Sequence, residues 1–163
     1  MIWTIDPGLQ GTGIAVWEPT TWTTRKRPVP PVHTETLRSG SSPAIETKMA
    51  VMTHRVKALL RDWPCKEAYI EKPAFFQSAS GLMTASRQDL TKLTLCAGYI
   101  WGWLASEGVT VKFVEVHEWK GQVPKTVMAK RVNKLLRQRV NREWSEHVYD
   151  AVGIGLWVKG CLP

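Results

Sequence analysis

The sequence contains few cysteines and no long apolar run. Cys65, Cys96 and Cys161 are scattered through 163 residues and show neither C-x-x-C nor zinc-ligand spacing. This argues against a disulfide framework and favours a reducing compartment, with the thiols buried or incidental. No apolar stretch approaches the roughly 20 residues of a membrane span, so no membrane partner is expected. No signal-peptide core precedes the first strand pattern, and we expect a cytoplasmic protein that is not exported.

Acidic residues are also scarce. The chain has 14 Asp and Glu against 22 Lys and Arg, which gives a formal net charge of +8. Such an excess favours polyanionic partners, nucleic acid first, although a basic protein without such a partner has the same composition. No internal repeat or domain boundary is visible, and the length suits one domain over residues 1–163.

The spacing of apolar residues predicts alternating strands and helices. Strands are expected over 1–5, 14–17, 32–37, 68–71 and 109–116, and helices over 44–62, 84–107, 126–139 and 146–159. Residues 18–32, 74–83 and 117–125 are expected to be loops, and Ser145 is the expected N-cap of the last helix. Three successive strands indicate an antiparallel meander, which the later strands should join in parallel. This α/β order is typical of the ribonuclease H-like fold, a five-stranded mixed sheet flanked by helices.

Carboxylates stand at the ends of three predicted elements. Asp6 closes an apolar strand before Pro7-Gly8, and Glu71 closes another before a Lys-Pro turn. His147 and Asp150 are three residues apart, so they share one face near the start of the last helix. Each feature alone has an ordinary explanation as a strand end, a turn acid or a carboxylate that favours the helix dipole.

Together these four side chains predict a metal site, provided that the strands are neighbours in the sheet. Oxygen-rich ligation suits Mg²⁺, and the imidazole makes Mn²⁺ an alternative. Repulsion among three carboxylates would be costly without cations. Two divalent ions about 3.5–4 Å apart are the standard arrangement for in-line phosphodiester hydrolysis.

Four motifs in this chain resemble those of the RuvC family of Holliday junction resolvases. In order they are I-D-P-G-x-x-x-T-G, I-E-K-P, W-K-G-x-V-P-K and H-x-x-D-A-x-x-I-G. The resemblance implies a homodimeric, metal-dependent endonuclease of DNA recombination and repair that nicks four-way junctions in pairs. It implies that the catalytic metal ligands, which would hold two Mg²⁺ ions, are Asp6, Glu71, His147 and Asp150.

The resemblance also implies contacts to DNA. Lys120 and Lys125 match basic residues near the scissile phosphate, where they would neutralise charge in the transition state, although a solvated basic loop is the alternative. Phe75 and Phe76 match the position of an aromatic residue that, in the family, wedges into the junction and unstacks bases at the crossover. The alternative is that these two side chains cover the core. Two basic segments are candidates for contacts to DNA phosphates, with a solvated surface as the alternative. Their residues are Arg25, Lys26, Arg27, Lys130, Arg131 and Lys134.

Gly98 and Gly102 lie four residues apart on the long predicted helix. Small residues at this spacing permit close helix approach, which suits a two-fold dimer acting on two strands. Ordinary packing of the helix on its own sheet is the alternative explanation.

Other functions remain open at this stage. A ribonuclease H-like nuclease acting on other branched DNA or on RNA–DNA hybrids would share the fold and the acids. A non-catalytic junction-binding protein would keep the basic surface and carry vestigial acids. An actin-like ATPase also has D-x-G at a strand end, but 163 residues are too few for its two lobes. The resemblance fixes neither the cut sequence nor a helicase-type partner.

Overall fold

A central sheet organises the computed structural model, which describes residues 1–22, 28–41, 44–73, 87–121, 123–136 and 144–162. Its strands are β1 (Ile2–Asp6), β2 (Gly11–Trp17), β3 (His33–Arg38), β4 (Glu67–Lys72) and β5 (Thr110–Glu115). Within the described ranges they form one five-stranded sheet in the order β3-β2-β1-β4-β5. The first three strands pair antiparallel, and β4 and β5 join them in parallel. The predicted mixed sheet is confirmed.

The helices of the described residues are α1 (Pro19–Trp22), α2 (Ile45–Asp62), α3 (Arg87–Ser106), α4 (Val116–Trp119), α5 (Lys125–Leu136) and α6 (Glu146–Val158). The four long ones match the predicted helices in their described parts. The predicted loop at 74–83 and the predicted starts and ends at 84–86 and 137–139 lie outside the described residues.

The two short helices correct the prediction that residues 18–32 and 117–125 are loops throughout. One turn of helix, α1, opens the first segment, and α4 opens the second. A capping box stabilises α4, since Glu115 accepts from the backbone of Glu118 while the Glu118 side chain accepts from Glu115 N–H. Glutamate is not a usual N-cap residue, so no helix start is predicted at this position from the sequence.

Two hydrophobic clusters lie on the two faces of the sheet. Alternate residues of a strand point to opposite faces. On β1, Trp3 and Ile5 therefore pack with α2 and α3, whereas Ile2 packs with α4, α5 and α6. The second cluster is built around α6, whose residues from Val148 to Leu156 are nearly all buried. This all-round burial places α6 directly against the sheet.

Close packing of α6 depends on two glycines in its middle. A Cβ at Gly153 would lie 2.6 Å from the ring of Trp119, and one at Gly155 would lie 2.3 Å from the indole of Trp17. Real Cβ atoms do not approach other atoms so closely. Each glycine therefore makes room for a buried tryptophan.

Cys65, Cys96 and Cys161 are all free thiols. Among the described residues, none of the helices combines the length and apolar character that crossing a membrane requires.

Candidate active site

Asp6 and Glu71 lie side by side at one edge of the sheet. Strands β1 and β4 run parallel with Ile5 opposite Ile70, so the next residue on each strand is one of the two acids. Ile5 and Ile70 both pack in the cluster under α2 and α3. Their successors consequently face the other side of the sheet, toward α6. Strand register alone thus brings the two carboxylates together.

The start of α6 places the imidazole of His147 beside Asp6. Ser145 caps the helix by accepting a hydrogen bond from Val148 N–H at 3.2 Å, as predicted. Its hydroxyl also bonds the Thr36 hydroxyl on β3 at 2.6 Å. With the helix end fixed in this way, His147 Nδ1 lies 2.7 Å from Asp6 Oδ2.

Two glycines of the first motif leave space for His147 and for the backbone beside it. A Cβ at Gly13 would lie 2.0 Å from the carbonyl oxygen of His147, and one at Gly8 would lie 3.0 Å from an imidazole carbon. A Cβ at Gly11 would make only ordinary contact with the ring, at 3.5 Å. The need for glycine at positions 8 and 13 is not evident from the sequence, because the contact with residue 147 forms only in the folded chain.

The end of α4 supplies partners for the other two acids. Lys120 Nζ donates to both oxygens of Asp150, at 2.8 and 2.7 Å. The neighbouring Trp119 donates from Nε1 to Glu71 Oε2 at 3.1 Å. Lys120 was a predicted site residue, whereas Trp119 was missed. Its position beside Lys120 in the W-K-G motif is the one signal that could have indicated it.

Simultaneous ionisation of the carboxylates in this cluster is unfavourable. Burial raises the pKa of Asp6, and the nearby Asp150 raises it further, against the lowering effect of the His147 hydrogen bond. Burial, followed by repulsion from Asp6 and Asp150, raises the pKa of Glu71 to about 8. His147 and Lys120 therefore offset only part of the negative charge of the cluster.

The donor set fits a hard divalent cation by its chemistry. Three carboxylates and one imidazole are ligands that Mg²⁺ and Mn²⁺ accept. A cation would relieve the repulsion that adds to burial in raising the two pKa values. In the described part of the chain, no three His, Cys, Asp or Glu groups converge on one point as ligands of a single ion. The carboxylate oxygens of the three acids instead accept hydrogen bonds from the protein itself. The donors are Lys120 to Asp150, Trp119 to Glu71 and His147 to Asp6.

The predicted DNA-contacting residues are placed only in part. Lys130, Arg131 and Lys134 are exposed on α5, which packs against α6, the helix that carries His147 and Asp150. The described structure does not extend to the side chain of Lys125. The remaining predicted contacts, which lie outside the described residues, are Arg25, Lys26, Arg27, Phe75 and Phe76.

Comparison with solved structures defines the class of fold. A Thermus thermophilus RuvC solved in complex with Holliday junction substrate has a TM-score of 0.69 and 16% identity, over 99% of this chain and 97% of that one. A second Thermus thermophilus RuvC structure has a TM-score of 0.66 and 18% identity, over 95% and 90% of the two chains. The yeast mitochondrial Holliday junction resolvase Ydc2 has a TM-score of 0.58 and 9% identity, over 97% and 78%.

These likenesses confirm the predicted fold. The chain is an α/β protein with the ribonuclease H-like fold. Its fold is similar to that of the two RuvC structures along nearly its whole length. No protein-family model matches the sequence, and no curated protein matches it either.

Proposed function

We propose that this protein is a structure-selective endonuclease that resolves four-way DNA junctions by paired, symmetric nicks. The observation that carries the proposal is the meeting of Asp6, Glu71, His147 and Asp150, from three separate elements, at one edge of the sheet. The fold likeness to a RuvC solved with Holliday junction substrate supports the choice of DNA substrate. One nuclease domain over residues 1–163 would carry the activity.

Asp6, Glu71, His147 and Asp150 would hold two Mg²⁺ ions, with Mn²⁺ as an alternative. Divalent ions bound there would activate water and stabilise charge on the leaving oxygen. The protein's own contribution is to orient the ligands. The hydrogen bond that Asp6 accepts from His147 Nδ1 fixes the imidazole ring, and the Trp119 indole donates to one oxygen of Glu71. An outer partner such as Trp119 typically affects metal affinity or activity by about 10–100-fold.

Basic residues on the same side of the sheet would bind the DNA backbone. The exposed cations of α5 (Lys130, Arg131 and Lys134) lie on a helix that packs against the site-bearing α6. With a net charge of +8, binding should weaken as salt rises, since phosphate contacts release counterions. We further propose that Phe75 or Phe76 wedges into the junction, and that the basic segment at 25–27 and Lys125 contact phosphates.

A second copy of the chain would complete the enzyme as a homodimer. Leu95 and Tyr99 on α3 are 55% and 47% exposed, and they border a cavity of about 310 Å³ that Ile45 and Met49 of α2 also line. Two-fold pairing through this face would provide one active site for each of the two strands to be cut. We place the dimer in the cytoplasm, where free thiols are maintained.

The dimer prediction is tested by Leu95→Glu, which puts a charge into the proposed apolar contact. Light scattering after size exclusion should show a dimer for the wild type and a monomer for the variant. Thr47→Glu, at an exposed position of α2, is the matched control and should stay dimeric. A Leu95→Glu protein that remains a dimer would remove this face from the interface.

The activity is tested with a labelled mobile four-way junction and a linear duplex of the same sequence, in Mg²⁺, Mn²⁺ or EDTA. We expect paired, ligatable nicks in the junction only, and none in EDTA. Asp6→Asn and Asp150→Asn should abolish cutting and retain junction binding, because the exposed basic surface is unchanged. Glu67→Gln, a change on β4 away from the acid cluster, should cut normally.

Other outcomes of this assay would identify a different function. Preferential cutting of an RNA–DNA hybrid would indicate a ribonuclease H-like enzyme. Tight junction binding without cutting in either metal would indicate a non-catalytic binding protein. Equal cutting of junction and duplex would keep the nuclease chemistry and reject junction selectivity.

A further inference from the structure

Asp150 forms a buried salt bridge with Lys120. Lys120 Nζ donates to both of its carboxylate oxygens, at 2.8 and 2.7 Å, and the two side chains are only 10% and 9% exposed. The same ammonium group lies 5.1 Å from the centre of the Trp119 ring, which also favours a cation there. The Lys120 ammonium is therefore held in a largely dry position against a proposed metal ligand.

We propose that Lys120 competes with the divalent cation for Asp150 and is released when that cation binds. The inference rests on the proposed function of Asp150 as a metal ligand. Both oxygens of Asp150 accept from one ammonium, so a divalent ion using either oxygen would stand close to a like charge. Little water reaches this position to screen the repulsion. The ammonium group and the divalent ion should therefore not both bind Asp150 tightly.

Release requires motion of the side chain alone. The backbone of Lys120 is fixed as the C-cap of α4, where its N–H donates to the Val116 carbonyl at 3.0 Å. The freed ammonium would therefore stay within one side-chain length of the site. There it would be available to a phosphate oxygen, so that metal binding would prepare Lys120 to contact DNA. Coupling of this kind is reciprocal, and Lys120 must in turn weaken the binding of the metal.

Amine labelling of the wild-type protein tests the release directly. The protein, without DNA, is treated with acetic anhydride at increasing Mn²⁺ concentrations, and the acetylation of each lysine is measured by mass spectrometry. We expect acetylation of Lys120 to rise several-fold as Mn²⁺ binds. The matched control is Lys57 on the other side of the sheet, whose Nζ lies 5.9 Å from the centre of the Trp103 ring. Its acetylation should not change. Unchanged or reduced labelling of Lys120 while Mn²⁺ binds would overturn the proposal.

Mn²⁺ affinity, followed by electron paramagnetic resonance, tests the competition. Lys120→Met keeps a long unbranched side chain and removes the charge, so it should bind Mn²⁺ more tightly, within the roughly 5–150-fold range of coupled sites. Lys120→Arg retains the charge and should not bind Mn²⁺ more tightly than the wild type, and Lys57→Met should bind like the wild type. Equal or weaker binding by Lys120→Met would refute the competition and leave the metal site standing. Failure of the wild type to bind Mn²⁺ at all would refute both this inference and the proposed metal-dependent function.

Discussion

Replacing Glu71 by glutamine should make the protein more stable at neutral pH in EDTA. Burial and the repulsion of Asp6 and Asp150 raise the pKa of Glu71 from 4.5 to about 8. Glutamine removes the titrating group, and its amide oxygen can still accept the Trp119 N–H that Glu71 accepts at 3.1 Å. The substitution thus removes an acid whose ionised form the fold disfavours, and it keeps the hydrogen bond.

The pH dependence of this effect has a defined sign. Between pH 4.5 and about 8, the folded state retains a proton on Glu71 that the unfolded chain has released. Stability therefore falls as the pH rises through this window. The interval from pH 4.5 to pH 7 is about 2.5 pH units, which at about 1.36 kcal/mol for each unit gives about 3 kcal/mol. The raised pKa of Asp6 acts in the same direction.

Thermal unfolding in EDTA from pH 4.5 to 8 measures the predicted difference. At pH 7 the variant should melt about 6–12 °C above the wild type, since 1 kcal/mol corresponds to about 2–4 °C in a chain of this size. The difference should become small near pH 4.5 and disappear below it, where Glu71 is protonated in both states. Added Mg²⁺ or Mn²⁺ should narrow it at pH 7 by stabilising the wild type.

A matched control lies on the same strand. The pKa of Glu67 is lowered, chiefly by its hydrogen bond from Lys112, and this ion pair is exposed. Glu67→Gln should therefore destabilise slightly, by at most about 0.5 kcal/mol, with no gain at high pH. Equal melting temperatures of Glu71→Gln and the wild type across the whole pH range would refute the argument that the carboxylates repel one another in a buried site.

Further predictions concern the packing around the site. Gly13→Ala should lower thermal stability by about 1–3 kcal/mol and reduce cleavage with it, because the new Cβ meets the His147 carbonyl oxygen at 2.0 Å; unchanged melting would contradict this. Trp119→Phe should reduce cleavage about 10–100-fold with junction binding retained, because Glu71 loses its indole donor; full activity would remove Trp119 from the site. His147→Asp should keep activity in Mg²⁺ if residue 147 serves only as a metal ligand, and inactivity with an intact fold would indicate a second role.

The sequence by itself determined the order of the main elements and the identity of the four proposed ligands. Apolar alternation over 1–5 and 68–71 marked two strands, and Asp6 and Glu71 stood where those strands end. The three-residue spacing of His147 and Asp150 put both on one helix face. These features are local, because strand and helix periods depend on residues a few positions apart.

The tertiary structure decided how the ligands are held. The partners of Asp150 and Glu71 are Lys120 and Trp119, which lie 30 and 48 residues away along the chain. Their helix, α4, is capped by an unusual pair of glutamates and carried no local signal. The need for glycine at position 13 likewise comes from a backbone contact with residue 147. Such contacts depend on strand register and helix packing, which bring distant residues together only when the whole sheet has formed.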